Sequence, residues 1–152
     1  MNYLKLLLIL LLPTYHSITA QNTETDSLIT KLNNLTKEDS VKVNLLNKIA
    51  FKTYISDINK AVGYLNEAKK LSKKINYTKG IVNNIRTEAL IESYKGEFLI
   101  AVELLYKALN IAEKNKYNYL IANIYNDLGV INIKLDNIEK AKLFLNRSLK
   151  TY

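Results

Sequence analysis

The sequence predicts an all-α protein, a solenoid of antiparallel helix pairs. Three observations carry that expectation. Pro and Gly, the residues that cost most inside helices, number one and four in 152 residues. Apolar residues make up 48% of the chain, a globular rather than a disordered fraction. The same apolar columns also return at a step of 40 residues.

The first twenty residues read as an address rather than as structure. Lys5 supplies a positive start, and residues 6–12 are an unbroken apolar run ended by Pro13. Ile18-Thr19-Ala20 then offers a small residue where a signal peptidase would cut. The run is far below the roughly 18–20 apolar residues of a spanning helix. Residues 1–20 are therefore expected to be a signal peptide, and the product to be periplasmic or secreted. Cleavage removes Lys5 and His16, taking the charge from +8 to +7 and leaving neither His nor Cys. No membrane span is expected in what remains.

Residues 21–40 form the next segment. Leu28, Ile29, Leu32 and Leu35 keep helical spacing, and Asp26 or Thr25 can cap the start. The expected role is a capping helix and a linker, because the end of a repeat array needs covering.

Residues 41–152 hold three units, at about 41–76, 80–116 and 120–152. Ala61, Ala101 and Ala141 share the 40-residue step, as do Leu65, Leu105 and Leu145. Ala68, Ala108 and Ser148 follow it, then Ile58, Phe98 and Ile138, then Tyr64, Leu104 and Phe144; Tyr77 matches Tyr117. Each unit reads as two helices. In the second helix of unit two, Phe98, Ala101, Leu105, Ala108 and Ala112 form one stripe at steps of three and four. Small Ala beside large Leu lets neighbouring helices approach and fills the groove between them. In the first helix of unit three, Ala122, Tyr125, Leu128, Gly129 and Asn132 share a face. Gly129 is costly in a helix, so a close contact with the next helix is expected there. Turn formers separate the helices: Ser56-Asp57, Lys95-Gly96-Glu97 and Asp136-Asn137.

These residues resemble the tetratricopeptide repeat. Unit three carries Tyr125, Leu128, Gly129 and Ala141 at family positions, with Leu145 and Ser148 where the family prefers an aromatic and Ala. Unit two carries Ala89, Gly96, Ala101, Ala108 and Leu109; unit one carries Ile49, Ala50, Ala61 and Ala68, one residue short in its turn. The resemblance implies a right-handed superhelix. The step is 40 rather than the family's 34, and the extra residues are expected in the second helices. Such long-period arrays resemble the exported sensor regions of bacterial, Bacteroidetes-like signalling proteins. Glu88 and Glu92 depart from the pattern, where Leu and Tyr are usual. Either the alignment is slipped there, or the pair meets cations across a helix interface, with Lys48 and Lys52 as candidates.

Chemistry has little to work with. The expected mature chain lacks a His base, a thiolate and His or Cys metal ligands. The glycines at 63, 80, 96 and 129 form no phosphate loop. The close carboxylates, Glu38-Asp39 and Glu88, Glu92 and Glu97, read better as solvated helix faces than as a catalytic pair. No enzyme, cofactor or metal is expected. The Lys residues are spread over every helix, so a nucleic-acid partner is not expected either.

Binding is the better prospect, and here the resemblance names positions. It implies a concave groove lined by the first helices, built for a protein or an extended peptide. The second family position falls on Asn44, Asn83 and Asn123, and the fifth on Asn47, Arg86 and Asn126. Asn is a poor helix former, and its amide both donates and accepts. A ladder of such amides can hold a peptide backbone. Phe51, Tyr54, Leu90 and Tyr94 add apolar contact at the later positions. The alternative is composition, since 19 residues are Asn and Asn84 and Asn132 lie outside the ladder. The expectation is a non-catalytic exported scaffold, able to self-associate through an uncapped C-terminal helix. The second reading is a truncated periplasmic sensor region of a histidine kinase or transcriptional regulator, and a third is a degraded gene product.

Overall fold

The computed structural model describes residues 24–151, so the expected signal peptide lies outside the described residues. Among the described residues there are seven helices and no strands. Helix α1 spans residues 24–33 and belongs to one compact unit; residues from Lys37 onward form a second. In α1, Leu28 and Leu32 are buried, as their spacing predicts.

The second unit holds α2 (Ser40–Thr53), α3 (Ile58–Lys74), α4 (Thr78–Lys95), α5 (Phe98–Lys114), α6 (Asn118–Lys134) and α7 (Ile138–Thr151). From α3 onward the helices begin at residues 58, 78, 98, 118 and 138, a step of 20. The 40-residue period is therefore two equal halves. The reason lies in the backbone at each helix end. Asn76, Gly96, Lys116 and Asp136 all take positive φ, at 52°, 91°, 56° and 56°. Each is followed by an amide that reaches back five residues: Tyr77 to Ser72, Glu97 to Glu92, Tyr117 to Ala112 and Asn137 to Asn132, at 2.8–3.0 Å. This is a left-handed helix stop repeated four times.

The first turn differs. There Asp57 N–H bonds the Thr53 carbonyl, four residues back, at 2.8 Å. One residue is saved, which explains the short turn in unit one and why Asn44 and Asn83 are 39 apart while Asn83 and Asn123 are 40 apart. Asp57 also accepts from the Lys60 amide at 2.9 Å and caps α3. Asp39 caps α2 in the same way, from the Val41 and Lys42 amides. The extra residues are not confined to the second helices: α4 and α6 have 18 and 17 residues, against 17 each in α3 and α5. The longer period comes from lengthening both members of each pair.

The Ala and Leu columns predicted from the sequence are largely buried, whereas Ile138 of the Ile58, Phe98 and Ile138 column is exposed. Ala61, Ala101 and Ala141 are buried, as are Leu65 and Leu105, and Ala68, Ala108 and Ser148. Gly129 lies against α7, where a Cβ would meet the Leu145 side chain at 2.7 Å. The close approach expected of that glycine is present. The main core gathers Val82, Ile85 and Ala89 of α4, Leu105 and Ala108 of α5, Leu120, Ile124, Leu128 and Ile131 of α6, and Phe144 of α7. Within this unit each helix from α2 to α6 packs on the next in sequence, and α2 touches α4 as α4 touches α6. The second helices α3, α5 and α7 have no such mutual contacts. First helices that close on one another while second helices splay apart put α2, α4 and α6 on the inner side of the array. The result is an all-α, tetratricopeptide-like helical repeat.

Candidate functional site

The inner side carries a groove of about 400 Å³ running across α2, α4 and α6. Asn44, Asn47 and Phe51 of α2 line it, with Asn83 and Arg86 of α4 and Asn123 of α6. Those six were expected from the sequence. Lys48, Tyr77, Lys79, Thr87, Tyr119 and Leu120 also line it and were not. Tyr119 and Lys79 stand one 40-residue step apart, so the repeat register was the signal that could have found them.

Four expected residues sit elsewhere. Tyr54 and Tyr94 form an aromatic cluster with Phe51 at the C-terminal ends of α2 and α4. The Tyr54 ring meets Tyr94 edge-on at 5.8 Å and Phe51 at 6.1 Å. The Tyr94 hydroxyl donates to the Ile55 carbonyl at 3.0 Å, so it braces the first turn. Leu90 is half-buried and Asn126 exposed, and neither lines the groove.

The amides of the ladder divide by environment. The Tyr77 hydroxyl donates to Asn44 Oδ1 at 3.3 Å on the groove wall. Asn47 is buried; its Nδ2 donates to the Val43 carbonyl, and its Oδ1 has no hydrogen-bond partner among the described residues. Asn83 and Asn123 are half-buried and face the groove. The two Asn outside the ladder have structural work instead. Asn84 Nδ2 donates to Ser72 Oγ at 2.7 Å across α3 and α4, and Asn132 Nδ2 to the Leu128 carbonyl at 2.8 Å. Asn44, Asn83 and Asn123 are thus open to the groove, while Asn47, Asn84 and Asn132 are buried.

Arg86 is the centre of the floor. Its guanidinium bonds both carboxylate oxygens of Asp127 on α6, through Nε to Oδ2 and through Nη2 to Oδ1 at 3.2 Å. It also lies over the Phe51 ring on α2, 5.6 Å from the centroid. One side chain thus ties all three first helices together. Asp127 is 5% exposed, and burial pushes its carboxyl above the ordinary 3.8 although Arg86 pulls the other way. The folded protein therefore keeps this proton at pH values where the unfolded chain has released it. Stability contributed by this group is present at low pH and is lost as pH rises from about 3.8 through the folded value. Urea unfolding of the wild type against Asp127→Asn, pH by pH, should show this falling difference. A difference that rises with pH would contradict the sign.

The acidic pair on α4 is met differently from expectation. Glu88 bonds Lys69 of α3 at 2.6 Å, and Glu92 bonds Lys95 on its own helix at 2.9 Å. Lys69 supplies the cation because the α3 and α4 faces oppose each other there, while Lys48 lines the groove.

Among the described residues no cluster of three His, Cys, Asp or Glu side chains is placed to hold a metal ion. No helix among them is long and apolar enough to cross a membrane. The tetratricopeptide repeat family matches residues 83–152, from within α4 to the end of α7. Those residues are similar to tetratricopeptide repeats, and α2 and α3 continue the same packing on their N-terminal side. No curated protein and no solved structure matches the chain.

Proposed function

We propose that this tetratricopeptide-type array is a non-catalytic scaffold that holds an extended segment of a partner protein in the groove of α2, α4 and α6. The single observation that carries the reading is the composition of that groove. Amides at Asn44, Asn83 and Asn123 recur once per first helix, with aromatic side chains between them. Amides that both donate and accept suit a peptide backbone, and Phe51, Tyr77 and Tyr119 offer apolar faces to its side chains. Tetratricopeptide repeats in general mediate protein–protein contacts.

The test is a double substitution, Asn83→Ala with Asn123→Ala. It should weaken partner binding about tenfold to thirtyfold, for two hydrogen bonds of about 0.7–1 kcal/mol each. Circular dichroism should stay unchanged. Equal affinity with intact helicity would refute the amide ladder.

We also propose that the scaffold works outside the cytoplasm, from the charged start, apolar run and Ala20 of its first twenty residues. Mass spectrometry of the secreted or periplasmic product should find Gln21 at its N-terminus. Recovery of only the uncleaved chain from the cytosol would contradict this.

A further inference from the structure

We propose that the cleft between α3 and α5, floored by α4, is a binding site for a small aromatic carboxylate. It is separate from the peptide groove and does not depend on it. Twice in the array two second helices diverge over a first helix, and the two wedges differ in what fills them. In the wedge of α5, α6 and α7 the Tyr125 ring stacks on Phe144, with centroids 6.2 Å apart and planes at 19°. Arg147 lies over the same ring, 5.7 Å from its centroid, and the Tyr125 hydroxyl donates to Glu113 Oε1 at 3.2 Å. Ring, cation and carboxylate together close that wedge.

Forty residues earlier the equivalents are Ile85 for Tyr125, Leu104 for Phe144, Lys107 for Arg147 and Lys73 for Glu113. Ile85 brings no ring and no hydroxyl, and the wedge of α3, α4 and α5 holds a cleft of about 240 Å³. Ile81, Ile85 and Ile111 give it an apolar lining, with Lys73 on the α3 wall and Lys107 on the α5 wall. Glu88 lines it too, but Lys69 holds that carboxylate at 2.6 Å. Lys73 and Lys107 have no ion pair among the described residues. The cleft therefore lacks what Tyr125 supplies to the other wedge, with one change of sign. Glu113 accepts a proton donor; Lys73 donates, so the group beside it must accept, and an anion does so best. Lys107 can cover a ring face as Arg147 does. An apolar hollow with a few placed charges is the usual form of a small-molecule site, and an arene bearing a carboxylate meets each feature of this one.

The experiment titrates 2-naphthoate, its neutral relative 2-naphthamide and the ring-free anion hexanoate into the whole protein, followed by amide NMR. Naphthoate should give saturable shifts around Lys73, Ile85 and Lys107 and bind about tenfold tighter than naphthamide. Hexanoate should bind more weakly than naphthoate. Lys73→Gln with Lys107→Gln should erase the preference for naphthoate over naphthamide. Ile85→Tyr with Lys73→Glu copies the filled wedge and should abolish naphthoate binding in a folded protein. Should that variant not fold, the Gln pair decides, because both lysines are exposed. Equal binding of naphthoate and naphthamide, or of naphthoate and hexanoate, would overturn the proposal. So would naphthoate binding that survives in the folded Ile85→Tyr, Lys73→Glu variant, shifts gathered at Asn83 and Asn123 instead, or no saturable binding of naphthoate.

Discussion

Replacing Arg86 by Met should cost about 3–5 kcal/mol in urea unfolding at neutral pH, more than an ordinary surface charge can lose. The size follows from what is left behind. Asp127 is 5% exposed, and Arg86 is the partner that holds both its oxygens. Without the guanidinium, a buried carboxylate must ionise unpaired or take up a proton. The stacking on Phe51 is lost as well. The second substitution decides the interpretation. Arg86→Met with Asp127→Leu should recover most of the loss, because a buried pair replaced by apolar side chains is often neutral. A double variant as unstable as the single one would mean that Arg86 acts through packing with Phe51 rather than through its charge.

Leu105→Ala should be the second large loss, about 3–4 kcal/mol. Leu105 is 0% exposed and sits in the core shared by α4, α5, α6 and α7. Its neighbours along the α5 stripe, Ala101 and Ala108, are also 0% exposed. The helices already approach as closely as Ala permits on either side, so the space left by Leu105 cannot close. The cavity then adds to the lost transfer energy. Leu99, on the same helix but 73% exposed, should change stability by less than about 0.5 kcal/mol when made Ala. Thermal unfolding of the two variants side by side measures both. Similar losses would mean that the apolar stripe has been placed on the wrong face of α5.

Apolar side chains made the array legible. The columns at Ala61, Ala101 and Ala141 and at Ala68, Ala108 and Ser148 are buried on the second helices, each of which packs on neighbouring first helices. Gly129 was legible for the same reason, since only a close contact rewards a glycine in a helix. The 20-residue step was not legible. It is carried by left-handed backbone at Asn76, Gly96, Lys116 and Asp136, four different residue types with no shared side chain. Composition hides such a signal, because the conformation is imposed by the hydrogen bonds that follow it.

The groove was half legible, for a related reason. Asn83 and Asn123, in the second turns of α4 and α6, line the groove. Farther along, that register loses its aim, at Asn126 in the middle of α6 and at Leu90 and Tyr94 of α4. Tyr54 and Tyr94 turn into an aromatic cluster bracing the short first turn, a local consequence of the residue saved at Thr53. Asp127 was missed because its meaning comes from Arg86, 41 residues away on another helix. A lone Asp in a helix reads as solvated until its partner is seen.

The central claim is that α2, α4 and α6 form the binding surface. Amide NMR during titration with an extended decapeptide, acetylated and amidated at its ends, tests it most directly, because it reads every helix at once. Shifts should gather on these three helices, with the side-chain amides of Asn83 and Asn123 among the largest. Shifts gathered instead on the exposed outer faces of α3, α5 and α7, with the Asn83 and Asn123 side chains unmoved, would contradict it.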